Sequence, residues 1–165
     1  MPTINLGYTA PINPPSAKPV LTLPQIWAGL QRKVRHAEEF VPLIKSCAVE
    51  SEVVQDEANG GNTVITRVID FGNEKLGSQK KDGKLVREVC TLYPPVRVDF
   101  LQEDGTKIGN YVSEGQDGGL WMTYIFEWRV EEGQEGIEAR FKETAKMAVE
   151  KTIETIRRLV KEGEL

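Results

Sequence analysis

Apolar and polar residues alternate at the start of the chain: Ile4, Leu6 and Tyr8 are separated by Asn5 and Gly7 and flanked by Thr3 and Thr9. A period of two sends successive side chains to opposite faces, so the segment predicts a strand. Residues 10–19 carry Pro11, Pro14, Pro15 and Pro19 and read as an extended crossing segment. The period then changes, with Ile26, Trp27, Leu30 and Val34 falling on one helical face. Thr22-Leu23-Pro24-Gln25 supplies the helix start. Thr22 accepts from the backbone, Gln25 reaches back to it, and Pro24 is harmless in a first turn. A second short helix is predicted around Phe40, Leu43 and Ile44, with Pro42 near its start.

From Cys47 to Val130 the period of two returns. Strands are predicted over 49–55, 63–71, 85–93, 96–102, 107–113 and 120–130. Asn59-Gly60-Gly61, Pro94-Pro95 and Glu103-Asp104-Gly105 are turn signals, and a polar loop holding Gly72, Gly77 and Gly83 joins two of the strands. Residues 137–161 return to helical spacing. Ile137, Phe141, Ala145, Ala148, Thr152, Ile156 and then Leu159 or Val160 form the apolar stripe, while Lys142, Glu143, Lys146, Glu150 and Lys151 form a solvated face. That helix would be about 37 Å long.

Strand, two short helices, six strands and one long helix make an α+β domain. The expected architecture is a curved seven-stranded antiparallel sheet around the long C-terminal helix, with two short helices after strand one, which is the helix-grip order. A length of 165 residues suits one domain covering 1–165.

The last strand sets the inward face. Leu120, Met122, Tyr124, Phe126, Trp128 and Val130 share one side, and Glu127 and Arg129 lie on the other. Hairpin arithmetic carries that face across the sheet. It puts Val112 opposite Leu120, Asn110 opposite Met122 and Ile108 opposite Tyr124, then Val98 opposite Asn110 and Phe100 opposite Ile108. A tight turn at Pro94-Pro95 sets Leu92 against Val96, Cys90 against Val98 and Glu88 against Phe100, and a symmetric register places Arg67 against Glu88. The inner wall then reads Ile65, Arg67, Ile69, Glu88, Cys90, Val98, Asn110, Met122, Tyr124, Phe126 and Trp128. Apolar area with a few fixed polar groups is the chemistry of a small-molecule pocket.

Each polar member has two readings. Arg67 and Glu88 fit a structural cross-strand pair or a pocket pair, in which Arg67 anchors a carboxylate or enolate oxygen and Glu88 moves a proton. Tyr124 is a wall residue or a donor to a ligand carbonyl. Asn110 bonds the backbone or polarises a carbonyl. Together these four are the candidate catalytic residues. Trp27, Ile65, Ile69, Cys90, Val98, Met122, Phe126 and Trp128 are the candidate binding residues, with Trp27 read either as core or at the pocket entrance. Cys47 and Cys90 read as packing, since no base stands beside either, and His36 as a surface residue at a helix end.

Composition narrows the function. Lys plus Arg total 21 against 25 for Asp plus Glu, a net charge of -4, so nucleic acid is a poor partner. Two cysteines make no disulfide framework, and one histidine makes no ordinary zinc site, so no metal is expected. No glycine-rich phosphate or dinucleotide fingerprint is present, and no cofactor is expected. Neither a secretory signal nor a bilayer span is visible, so the expected location is cytoplasmic.

Several stretches look like one family. Ile26-Trp27-Ala28-Gly29-Leu30, Phe40-Val41-Pro42, Cys47-Ala48-Val49, Thr66-Arg67-Val68-Ile69-Asp70-Phe71, the Tyr93-Pro94-Pro95 turn and the run from Leu120 to Trp128 resemble the AtaL-like (acetylaranotin biosynthesis cluster protein L) family. The resemblance covers almost the whole chain. It implies the START-like, polyketide-cyclase-like (SRPBCC) fold and a setting in fungal secondary metabolism. A cofactor-independent cyclase, isomerase or dehydratase acting on a natural-product intermediate is then expected. The alternative is a non-catalytic carrier for a lipid or hydrophobic metabolite. A third reading is an interaction module using Trp121 and Ile125 on the outer sheet face, a patch that a homodimer contact explains equally well.

Overall fold

The computed structural model of the chain describes residues 2–72 and 85–165. β1 (Thr3–Pro11) leads to α1 (Leu23–Arg35) and a single 3-10 turn (Ala37–Glu39). Six strands follow: β2 (Ser46–Val54), β3 (Thr63–Asp70), β4 (Leu85–Tyr93), β5 (Arg97–Gln102), β6 (Lys107–Glu114) and β7 (Leu120–Arg129). α2 (Ile137–Lys161) closes the chain. The seven strands form one antiparallel sheet in the order β1-β7-β6-β5-β4-β3-β2. The first strand therefore pairs with the last, from Thr3 against Arg129 to Pro11 against Trp121. The helix-grip architecture is the one the sequence pattern calls for. The loop residues Gly77 and Gly83 lie outside the described residues.

α1 starts as its sequence dictates. Thr22 Oγ1 accepts from the Gln25 backbone N–H, and Gln25 Oε1 accepts from the Thr22 N–H at 2.9 Å. The second predicted helix is instead only the one-turn element that stops before Phe40. Pro42 lacks a backbone donor and disfavours helical geometry in the residue before it, so helix cannot propagate through Phe40–Ile44. Phe40 and Ile44 are buried all the same.

Strand faces match the alternation, but two registers differ from the hairpin arithmetic. The Pro94-Pro95 turn closes on Tyr93 and Arg97, so Glu88 faces Gln102 and Cys90 faces Phe100. The β6–β7 hairpin closes on Glu114 and Leu120, so Asn110 faces Tyr124. Both offsets are two residues. An even offset moves partners without turning any side chain to the other face. Arg67 against Glu88 and Val98 against Asn110 stand as expected. β2 begins at Ser46, earlier than the pattern suggests, and a bulge separates Val49 from Ser51. This edge strand is mostly exposed and carries Glu50 and Glu52, charges that discourage edge-to-edge pairing.

The main core lies between the inner sheet face and the two helices. α1 and α2 meet where Gly29 packs on the buried side chain of Ile156. A Cβ on Gly29 would stand 2.5 Å from Ile156 Cγ1, so the close approach depends on glycine. α2 also fastens the proline-rich crossing segment. Arg157 Nη2 donates to the Ile12 carbonyl and Nε to that of Pro19. Asn13 bridges both backbone groups of Leu21. Among the described residues no helix is long and apolar enough to cross a membrane. On the outer face Ile125 is 49% exposed, while Trp121 is half-buried against Gly115.

Candidate functional site

A cavity of about 110 Å³ lies between the inner sheet face, the segment after α1 and the first half of α2. Its apolar walls include Phe40, Ile44, Phe71, Phe100, Phe126, Trp128 and Phe141. For scale, a dry cavity of about 150 Å³ holds benzene. The space is smaller than that and open at one end, so it admits a single small ring or a short branched chain with anything larger projecting from the mouth. The lining residues Pro42 and Met147 are exposed and mark the mouth. Phe126 stacks on Trp128 at 4.2 Å, and Trp128 on Phe141 at 4.1 Å, joining β7 to α2 along one wall.

The polar groups fall into three sets. In the first, Arg67 Nε and Nη2 bind Glu88 Oε2 at 2.8 and 2.6 Å. Arg67 Nη1 donates to the carbonyls of Lys33 and Val34, both at 2.9 Å, and Gln102 Nε2 donates to Glu88 Oε1 at 2.8 Å. Burial is the largest single influence and works against the Arg67 charge, but Glu88 together with the nearby Cys90 and Cys47 more than offsets it and keeps the guanidinium protonated. Arg67 thus caps the last turn of α1, where carbonyls lack intrahelical partners. This cluster is largely self-satisfied.

The second set is a chain of hydrogen bonds. Lys33 Nζ donates to Tyr124 Oη at 2.9 Å, Tyr124 Oη donates to Thr152 Oγ1 at 2.8 Å, and Thr152 Oγ1 donates to the Ala148 carbonyl at 2.8 Å. Nζ also lies 4.4 Å from the Tyr124 ring centre and 5.6 Å from that of Phe100. Among the described residues no carboxylate pairs with Lys33. Burial, reinforced by the Arg67 charge, pushes its amine down to about 7. Burial likewise raises the Tyr124 hydroxyl, against the hydrogen bond to Thr152, so the phenol stays neutral.

The third is Asn110, 1% exposed, whose Nδ2 and Oδ1 have no hydrogen-bond partner among the described residues. A buried carboxamide can donate two hydrogen bonds and accept two. Asn110 is one of the residues lining the cavity.

The structure brings Arg67, Glu88, Asn110, Tyr124, Phe126 and Trp128 together around this space. Ile65, Cys90, Val98 and Met122 are buried in the main core, and Ile69 in a smaller cluster with Phe71 and Val86; these five are not among the cavity lining. Trp27 packs half-buried against the core and also stays out of the lining. Burial pushes the Cys90 thiol up to about 12, too high for a nucleophile at neutral pH. The sequence reading does not select Lys33 or Gln102. Lys33 sits beside Arg32 and passes for part of a solvated basic run. Its spacing from Ile26 and Leu30, seven and three residues, is the signal that places it on the buried face.

The comparisons with known proteins agree with this fold. The family model described as acetylaranotin biosynthesis cluster protein L matches residues 6–163. A curated protein of that description from Aspergillus terreus (strain NIH 2624 / FGSC A1156) is 26% identical, over 99% of this chain and 94% of its own. Among solved structures, the di-domain ARO/CYC StfQ from the steffimycin biosynthetic pathway superposes with a TM-score of 0.64 at 10% identity. The match covers 98% of this chain and 51% of StfQ, so this chain spans about half of that protein. The Zhui aromatase/cyclase from Streptomyces sp. R1128 gives 0.57 at 13% identity over 96% of both chains. A START superfamily protein from Mycobacterium smegmatis gives 0.58 at 9%, over 95% of this chain and 98% of its own. The fold is therefore START-like, and with nearly its whole length matched the chain belongs to the acetylaranotin biosynthesis cluster protein L family.

Proposed function

We propose that the cavity takes an apolar, carbonyl-bearing small molecule, and that the chain is a cofactor-independent cyclase, isomerase or dehydratase of natural-product biosynthesis. The observation that carries this reading is Asn110. Leaving a buried carboxamide without partners costs about 1–3 kcal/mol, a cost that a ligand can remove by completing its hydrogen bonds. Nδ2 is suited to a carbonyl oxygen and Oδ1 to an enol or hydroxyl proton. Lys33 is the group poised to exchange a proton near neutral pH, and Tyr124 holds it in place. The aromatic wall of Phe126 and Trp128 suits a flat ring. A larger intermediate inserts one ring and leaves the remainder at the mouth near Met147. The description of the curated relative as a biosynthesis cluster protein fits such a substrate.

A carrier role is favoured by one feature: Arg67 and Glu88 satisfy each other and α1, leaving fewer groups for chemistry. The deciding measurement is native mass spectrometry after incubation with metabolite extract from the source organism, comparing released ligand with input. A ligand returned with altered mass or retention supports the enzyme. A ligand returned unchanged supports the carrier.

Asn110→Leu tests the central residue. It should raise stability by about 1 kcal/mol in urea titrations, because an unpaired buried amide is replaced by a similar apolar volume. It should also weaken ligand binding by about tenfold or more. A variant with unchanged affinity would remove Asn110 from the binding site.

A further inference from the structure

We infer that Lys33 is a covalent site, whose Nζ condenses with an apolar aldehyde or ketone in the cavity to form an imine. The inference rests on the small-molecule reading above and assigns its substrate class. The geometry supplies three requirements of an imine-forming lysine. Lys33 lines an apolar cavity and is 7% exposed. It is steered by the uncharged hydroxyl of Tyr124, and among the described residues no carboxylate forms an ion pair with it, Glu88 acting on it only through space. The rings of Phe100 and Tyr124 flank Nζ, so its immediate surroundings are largely aromatic.

The charged and titratable groups that face it come from three strands: Arg67 on β3, Glu88 and Cys90 on β4, and Tyr124 on β7. From α2, Lys151 lines the same cavity and Thr152 holds the Tyr124 hydroxyl. Burial and the Arg67 charge lower the amine to about 7. A far larger share of it is then free base at neutral pH than for an exposed lysine.

The step balances without another reagent. The Nζ lone pair forms a bond to the carbonyl carbon, and the C=O π pair moves to oxygen, which takes up a proton. The nitrogen loses a proton, giving the neutral carbinolamine. The carbinolamine hydroxyl then takes up a proton and leaves as water as the nitrogen lone pair closes the C=N bond, and the resulting iminium gives up its N–H proton to leave the neutral imine. Amine and carbonyl go in, imine and one water come out, and nothing is oxidised or reduced. Protonation of the imine makes the adjacent C–H acidic, which is useful to a cyclase or isomerase acting on a carbonyl chain.

The test uses benzaldehyde, whose single ring fits the cavity, with sodium cyanoborohydride at pH 7 to reduce any imine. Benzyl alcohol, which cannot condense, reports cavity occupancy through the Trp128 indole resonance. The expected result is one benzyl group on Lys33, formed on the order of a hundredfold faster than on any other lysine, suppressed by benzyl alcohol and absent in Lys33→Met. Site mapping on the unaltered chain keeps the test valid if that variant fails to fold. If benzyl alcohol shifts the Trp128 resonance but benzyl groups appear only on surface lysines, the covalent site is overturned and the binding reading stands. If neither compound reaches the cavity, both fall.

Discussion

Arg67→Met should cost about 3–5 kcal/mol of stability, read as a lowered urea midpoint at an unchanged slope. The substitution keeps the apolar stem but removes a charge that three elements rely on. Glu88 would stay in its 5% exposed position without the ion pair at 2.6 Å. The carbonyls of Lys33 and Val34 would lose their side-chain donor. Breaking one side of a buried pair is far more damaging than replacing both partners, because the survivor is left charged and desolvated. The double variant Arg67→Met/Glu88→Leu should therefore recover a substantial part of the loss. Full recovery is not expected, since the α1 carbonyls remain uncapped and Gln102 loses its bond to Glu88. If the double variant is as unstable as the sum of its single substitutions, the pair is not energetically coupled.

Trp128→Ala is expected to have a comparable effect, again about 3–5 kcal/mol, through cavity formation and lost stacking. Trp128 is the middle ring of a three-ring stack that carries β7 onto the start of α2. Its removal would join new empty volume to the existing cavity, because the indole is part of that cavity's wall. The variant should consequently accept a larger apolar guest than the parent. Thermal unfolding with and without naphthalene checks both halves. The expected outcome is a lower Tm for the free variant and a larger naphthalene-induced rise than in the parent protein. An equal rise in both would mean that the surrounding side chains collapse into the space.

The sequence carried the architecture well because its periods are long and clean. Residues 137–161 keep one apolar stripe for seven turns, and α2 spans Ile137–Lys161. β4 likewise follows the alternation from Leu85 to Tyr93. Register was less legible because turn geometry, not side-chain character, decides it. At Pro94-Pro95 and at the loop before Leu120 the offset of two residues changed partners but not faces, so the inner-wall residues still point inward. Which buried residues border empty space is a different matter. Val98 and Asn110 face each other on neighbouring strands, yet only Asn110 borders the cavity. Alternation distinguishes inside from outside; it says nothing of where a helix leaves a gap. Lys33 is hard to place from the sequence because its charge argues for solvent, whereas its helical position argues for the interior. Two conflicting signals at one residue mark a position where local preference is overridden.

The anchoring of α1 by Arg67 has a bearing on how the molecule breathes. Helix ends ordinarily fray within a turn, at almost no free-energy cost, ahead of global opening. Here the last turn of α1 is fastened through one guanidinium to β3 and, through Glu88, to β4. To fray, it must give up an ion pair buried on the inner face of the sheet, between β3 and β4. Amide protons in the final turn of α1 should then exchange with solvent water as slowly as those of the central strands, and by the same cooperative event. The terminus of a short peripheral helix becomes, in kinetic terms, part of the slowest-opening unit of the protein.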